Sequence, residues 1–127
     1  MRPVTMLAAA MALLLPAGTP IAAQAAGDAE AGKTAFNRRC AVCHAVAEGQ
    51  NKVGPSLHGV VGRASGTAPN FNYSPAMKSA GKTWDEASID TYLQDPKAYV
   101  PGNRMILVGI KDEAERQNII AYLGTQK

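Results

Sequence analysis

Apolar and polar positions divide this chain into two unlike stretches. From Val4 to Leu15 no residue is charged, and Met6–Leu15 is apolar throughout. Arg2 precedes this run, Pro16 and Gly18 break it, and Ala23-Gln24-Ala25 follows with the small-x-small pattern of a signal-peptidase site. The run is shorter than the roughly 20 residues that span a bilayer. No Cys near the cleavage site offers a lipid anchor. The pattern predicts a cleaved signal peptide over residues 1–25 and one exported domain over residues 26–127. An uncleaved N-terminal anchor is the weaker alternative.

Past the leader, apolar residues recur at helical spacing in three places. Asp28 can cap a first helix that carries Ala31, Ala35 and Phe36. Thr83-Trp84-Asp85-Glu86 has the form of a capping box with Thr83 as the cap. Ile89, Tyr92 and Leu93 follow it, and Pro96 stops that helix before a Lys97–Val100 turn. A last helix starts near Asp112, with Glu113 and Glu115 where the dipole favours anions. Ile119, Ile120, Tyr122 and Leu123 form its apolar face, and Gly124 is its expected C-cap. Gly49 to Pro75 is rich in Gly, Pro, Asn and Ser and reads as loops. Met105–Ile110 is the one β-like run. The expected fold class is all-α: a small single domain of helices and loops.

Composition changes this picture in one respect. The aromatics are one Trp, four Tyr and two Phe, and the middle of the chain has few large apolar residues. A domain of this size buries well over half of its unfolded surface, so a large apolar cofactor would supply the missing interior. Charge adds little. With 13 Lys+Arg against 10 Asp+Glu and a formal +3, no clustered basic stripe argues for nucleic acid.

The candidate chemistry sits in one pentapeptide, Cys40-Ala41-Val42-Cys43-His44. Cys-x-x-Cys-His is the attachment signature of c-type haem. Two thiols three residues apart at a helix end reach the two vinyl groups on one porphyrin edge. The adjacent His then presents a neutral imidazole to the iron. A thioredoxin-type dithiol needs a strand–helix context that does not precede Ala41. A zinc site needs a second ligand pair that the chain lacks. A simple disulfide remains a formal option, but the immediate His and the export signal favour haem. For the second axial position the residues leave three candidates: Met77, Met105 and His58. Met105 has the better context, following the turn-forming stretch Tyr99-Val100-Pro101-Gly102-Asn103-Arg104.

These motifs, with Gly54-Pro55, Asn70-Phe71-Asn72-Tyr73-Ser74-Pro75-Ala76, Thr83-Trp84, Tyr92 and Pro96 in this order, resemble class I cytochrome c. The chain looks most like the mitochondrial-type cytochromes c2 of bacteria, from about Gly27 to Leu123. The resemblance implies one haem c per chain, held by thioether bonds to Cys40 and Cys43. It implies His44 and Met105 as the iron ligands, with the Pro55 carbonyl fixing the His44 ring. It brings Tyr73, Trp84 and Arg63 to the haem propionates, with Asn103 there in place of the usual Thr. It sets Tyr92 beside the Met105 sulfur, and packs Gly32 and Phe36 of the first helix on Ile119 and Tyr122 of the last. Met77 and Leu107 also depart from common residues, Asn and an aromatic respectively.

The implied function is one-electron transfer, not enzymatic catalysis. A closed His/Met site offers iron no open position, and its soft thioether favours the ferrous state. The implied location is the periplasm, and the expected state a monomer. Expected partners are membrane or periplasmic redox proteins: a cytochrome bc1-type donor, and a terminal oxidase, reaction centre or peroxidase as acceptor. Arg39, Lys52, Lys97, Arg104 and Lys111 match basic positions around the exposed haem edge and would steer an acidic partner. The competing class is a haem sensor or peroxidase-like enzyme with an open distal site, but no acid–base His/Arg pair is apparent near Met105. A third reading is a membrane-tethered subunit of a larger oxidoreductase.

Overall fold

The structure, a computed structural model, describes residues 27–127. The expected leader lies outside the described residues. Helix α1 (Ala29–Arg39) is capped as expected: the Asp28 carboxylate accepts from the Glu30 and Ala31 amides at 2.8 and 3.1 Å. Its buried face is Gly32, Ala35 and Phe36, the i, i+3, i+4 stripe of a helix that packs on one side. That side meets α5 (Glu113–Gly124), which buries Arg116, Ile119, Ile120 and Leu123. A Cβ on Gly32 would lie 1.8 Å from the Asn118 carbonyl oxygen, so only glycine permits this crossing. Beside it Phe36 and Tyr122 pack with ring centroids 5.4 Å apart.

The helix α3 (Glu86–Gln94) buries Ile89, Tyr92 and Leu93, but its start differs from expectation. Asp85 is the cap and accepts from the Ser88 amide at 2.7 Å. Thr83 instead pairs with Ala64 in an isolated antiparallel bridge, which holds its backbone extended and out of the helix. Pro96 does not only end α3; it opens a further turn, α4 (Pro96–Tyr99). Asp95 serves both helices, as C-cap of α3 and as N-cap accepting from the Ala98 amide at 3.1 Å. The short helix α2 (Pro75–Lys78) is capped by Ser74 and begins at the last residue of the stretch read as loops. Gly124 lies within α5 rather than capping it. Thr125 takes that place, and its hydroxyl donates to the Tyr122 carbonyl at 2.6 Å.

Met105–Ile110 is extended but is no strand: among the described residues it has no ladder partner. Gly109 approaches the Gln94 carbonyl so closely that a Cβ would sit 2.4 Å from it. The chain then enters the core at Ile110, whose amide donates to the Leu93 carbonyl at 2.8 Å. Alternation along the segment sends Ile106 and Val108 outward, 85% and 91% exposed, while Met105 and Leu107 pack against the core. The resulting fold is all-α, as predicted. Among the described residues, no helix is long and apolar enough to cross a membrane.

Candidate cofactor site

The Cys40–His44 pentapeptide follows directly from the end of α1. The Cys40 and Ala41 amides both donate to the Phe36 carbonyl, at 2.7 and 3.0 Å, and the Cys43 and His44 amides donate to the Cys40 carbonyl. This tight turn gives both cysteines and the imidazole fixed backbone positions. The two cysteines are not bonded to each other, which removes the simple disulfide. Burial pushes the Cys40 thiol up to about 11. A redox-active dithiol or a zinc ligand needs the thiolate, so this environment is poor for both.

The His44 ring is fixed from two sides. Its Nδ1 lies 2.8 Å from the Pro55 carbonyl, so this nitrogen carries the hydrogen and donates, leaving Nε2 as the free acceptor. A Cβ on Gly54 would come within 2.2 Å of the ring, so the backbone is pressed against the imidazole. Burial lowers the His44 pKa, against an opposing rise from the Pro55 bond. The neutral, ligand-competent form is thereby favoured.

The three axial candidates separate. His58 is half-buried, with Nδ1 3.1 Å from the Val46 carbonyl, and braces the loop beyond His44. Met77 sits in the single turn of α2, its amide donating to the Ser74 hydroxyl. Met105 stands on the extended segment beneath Tyr92, whose hydroxyl donates to the sulfur at 3.8 Å. Burial pushes the Tyr92 hydroxyl up to about 12, so it keeps the proton it donates. Tyr92 stacks at 4.9 Å on Trp84, and both are buried.

Asn103 is engaged by the main chain around Met105. Its amide donates to the Pro96 and Val100 carbonyls, both at 2.8 Å, and its oxygen accepts from the Met105 amide at 2.9 Å. Both amide hydrogens are thus committed to main chain. Arg63, by contrast, fits an anionic group. One guanidinium nitrogen donates to the Ser56 and His58 carbonyls, while its buried Nε has no partner among the described residues. A buried donor of this kind calls for an acceptor, and a haem carboxylate would supply one. Tyr73 is buried, and its hydroxyl accepts from the Ala68 amide at 2.9 Å. The set of two free cysteines, an imidazole with a free Nε2, a thioether and an orphan guanidinium N–H therefore fits covalent haem.

The expected basic ring is altered at one position. The Arg39 guanidinium makes a two-point ion pair with Glu115, at 2.6 and 2.9 Å, and Arg38 binds the same carboxylate. Arg39 therefore serves the α1–α5 junction, and its charge is compensated. Lys52, Lys97, Arg104 and Lys111 remain exposed. Two site features escaped the sequence reading. Gly54 is a wall of the His44 pocket, signalled only by its place beside Pro55. Arg116 falls on the apolar stripe of α5, three residues before Ile119, and a cation at such a register position was a visible sign of a buried role.

Comparison with known proteins agrees with this geometry. The family model for cytochrome c matches residues 29–127. Cytochrome c2 of Rhodoplanes tepidamans is 54% identical over 97 residues, 76% of this chain and 90% of that protein. Cytochrome c-550 of Bradyrhizobium diazoefficiens is 53% identical over 96 residues, covering 75% and 70% respectively. The solved structure of cytochrome cH from Methylobacterium extorquens superposes with a TM-score of 0.73 at 46% identity, over 78% of this chain and 99% of that one. The chain belongs to the cytochrome c family of electron carriers, which bind covalent haem c and its iron.

Proposed function

We propose that residues 26–127 form a soluble periplasmic one-electron carrier with His44 and Met105 as iron ligands, released from a signal peptide over residues 1–25. The observation that carries the reading is the pair of prepared ligands: His44 with Nδ1 engaged by Pro55, and Met105 with its sulfur under the Tyr92 hydroxyl. Haem iron between an imidazole and a thioether supplies one-electron redox chemistry at a raised potential.

The protein's own groups do the rest. Cys40 and Cys43 anchor the ring edge, and Pro55 orients the imidazole and fixes its tautomer. The Tyr92 hydroxyl draws electron density from the Met105 sulfur, which favours the ferrous state. Arg63, through its free Nε–H, would hold the propionates together with Tyr73 and Trp84. Asn103 acts on Met105 through the backbone instead. With His44 and Met105 both holding the iron, the site would have no place for a substrate, unlike a sensor or a peroxidase. Lys52, Lys97, Arg104 and Lys111 would steer the acidic face of a membrane or periplasmic redox partner. The donor expected is a cytochrome bc1-type complex; the acceptor, a terminal oxidase, reaction centre or peroxidase.

Spectra of the holoprotein in both redox states, with and without carbon monoxide, test this. The ferrous spectrum should be low-spin and unmoved by the gas, and the ferric form should show the weak far-red sulfur-to-iron band. Met105→Ala should lose the band and bind carbon monoxide, whereas Met77→Leu should do neither. The reverse pattern would assign the thioether to Met77.

A further inference from the structure

Between Arg104 and Gly109 the chain that bears Met105 has little of its own to hold it. Apart from the Met105 amide bond to Asn103, the backbone groups of this stretch make no hydrogen bond among the described residues. Its side chains at Ile106 and Val108 point away from the protein. Met105 is thus positioned from the two ends of the segment. At the near end stands Asn103, 6% exposed and bonded to three main-chain groups.

The far end is held by a charged side chain. Arg116 is 4% exposed, and its Nη1 donates to the Ile110 and Lys111 carbonyls at 2.8 and 3.1 Å. Its Nε donates to Asp90 Oδ1 at 2.8 Å, and Gln117 donates to the same oxygen at 3.0 Å. Asp90 lies on α3, one turn before Leu93, and the Leu93 carbonyl receives the Ile110 amide. A guanidinium presents its donors in a rigid fork. When Asp90 fixes one prong, the other is aimed at the two carbonyls where the segment enters the core. A buried cation stripped of its carboxylate would draw in water or swing toward another acceptor, and those carbonyls would lose their donor.

We propose that Asp90 and Arg116 are positioning residues for Met105, acting together as a clamp that keeps the thioether on the iron from the far end of its segment. The proposal rests on Met105 being the distal ligand. Release of the clamp should lower the cost of local opening, in which only this segment moves.

Imidazole added to the ferric holoprotein reads that opening, because it replaces the thioether at the iron without any electron transfer. Asp90→Ala should bind imidazole about tenfold more tightly than the wild type, the scale expected when a buried charge-assisted bond is lost. It should also lose the far-red band at a lower imidazole concentration, and Asp90→Glu should restore both. Glu115→Gln, which loosens the α1–α5 junction and leaves the clamp intact, should match the wild type. Equal imidazole binding by Asp90→Ala and wild type, with the far-red band present in both, would overturn the clamp and leave the ligand assignment standing. So would an equal gain in Glu115→Gln, since the effect would then be one of global stability. A wild-type holoprotein without the far-red band would overturn both.

Discussion

The two sides of the cofactor site are built by opposite means. On the His44 side, the amides of Cys40, Ala41, Cys43 and His44 tie the turn to the end of α1 and to itself, and the Gly54 amide donates back to the Cys43 carbonyl. On the Met105 side the chain is extended, and two buried polar side chains, Asn103 and Arg116, do the holding from its ends. The first arrangement is local, each bond of the turn reaching only a few residues. The second is modular, and it can open while the rest of the fold stays closed. With His44 and Met105 as the proposed ligands, the carrier would have one permanent side and one conditional side.

Gly54→Ala should strike the permanent side hardest. The new Cβ would fall 2.2 Å from an imidazole that the Pro55 carbonyl prevents from turning away. The expected loss is about 3 kcal/mol of stability, the upper range for overpacking a fixed site. Denaturant unfolding of the holoprotein measures it, and a wild-type midpoint would show that the ring is free to move.

Asn103→Ala addresses the conditional side. It leaves the Met105 amide without a partner and removes the side-chain donor from the Pro96 and Val100 carbonyls, which keep their backbone bonds. A loss of about 2 kcal/mol is expected from the one unsatisfied amide together with the side-chain bonds removed. More of that loss should appear in ligand exchange at the iron than in the unfolding midpoint. An effect confined to global unfolding would erase the contrast between the two sides.

Glu115→Gln should be the mildest change. Its pairs with Arg38 and Arg39 join α1 to α5 at the surface, and such pairs are worth up to about 1 kcal/mol. The Arg39 guanidinium, followed by Arg38, holds the Glu115 carboxyl below the usual glutamate range. A depressed carboxylate contributes stability above its unfolded pKa of about 4.3 and loses it as pH falls through the lower folded value. The Tm difference between wild type and variant should therefore be present at neutral pH and vanish in acid. A difference that grew on acidification would contradict the pairing.

Local features of this fold were legible in the sequence, and tertiary ones were not. α1, α3 and α5 declared themselves by apolar spacing, Asp28 by cap chemistry, and the start of α5 near Asp112 by the acidic residues of its first turn. α2 is a single turn capped by Ser74, too short to show a period inside a polar stretch. Thr83 and Asp85 are both competent caps, and only the bridge to Ala64 decided between them. At the site, Cys40, Cys43 and His44 lie in one pentapeptide and were read directly, while Pro55 came only with the family resemblance. The bonds of Asn103 to the Pro96 and Val100 carbonyls could not be read in advance, because main-chain partners have no sequence signature. The pairing of Arg39 with Glu115 spans 76 positions and exists only once α1 and α5 have met.

The outward-facing Ile106 and Val108 also bear on how the protein behaves in concentrated solution. An extended run with free backbone groups and bare aliphatic side chains is a template for edge-to-edge pairing between copies. Here the run is short, with Arg104 at one end and Lys111 at the other. Two copies pairing antiparallel would set each arginine against the other's lysine, cation against cation. The same charges suited to an acidic partner thus act as gatekeepers against self-association, and neutralising both would expose a sticky edge.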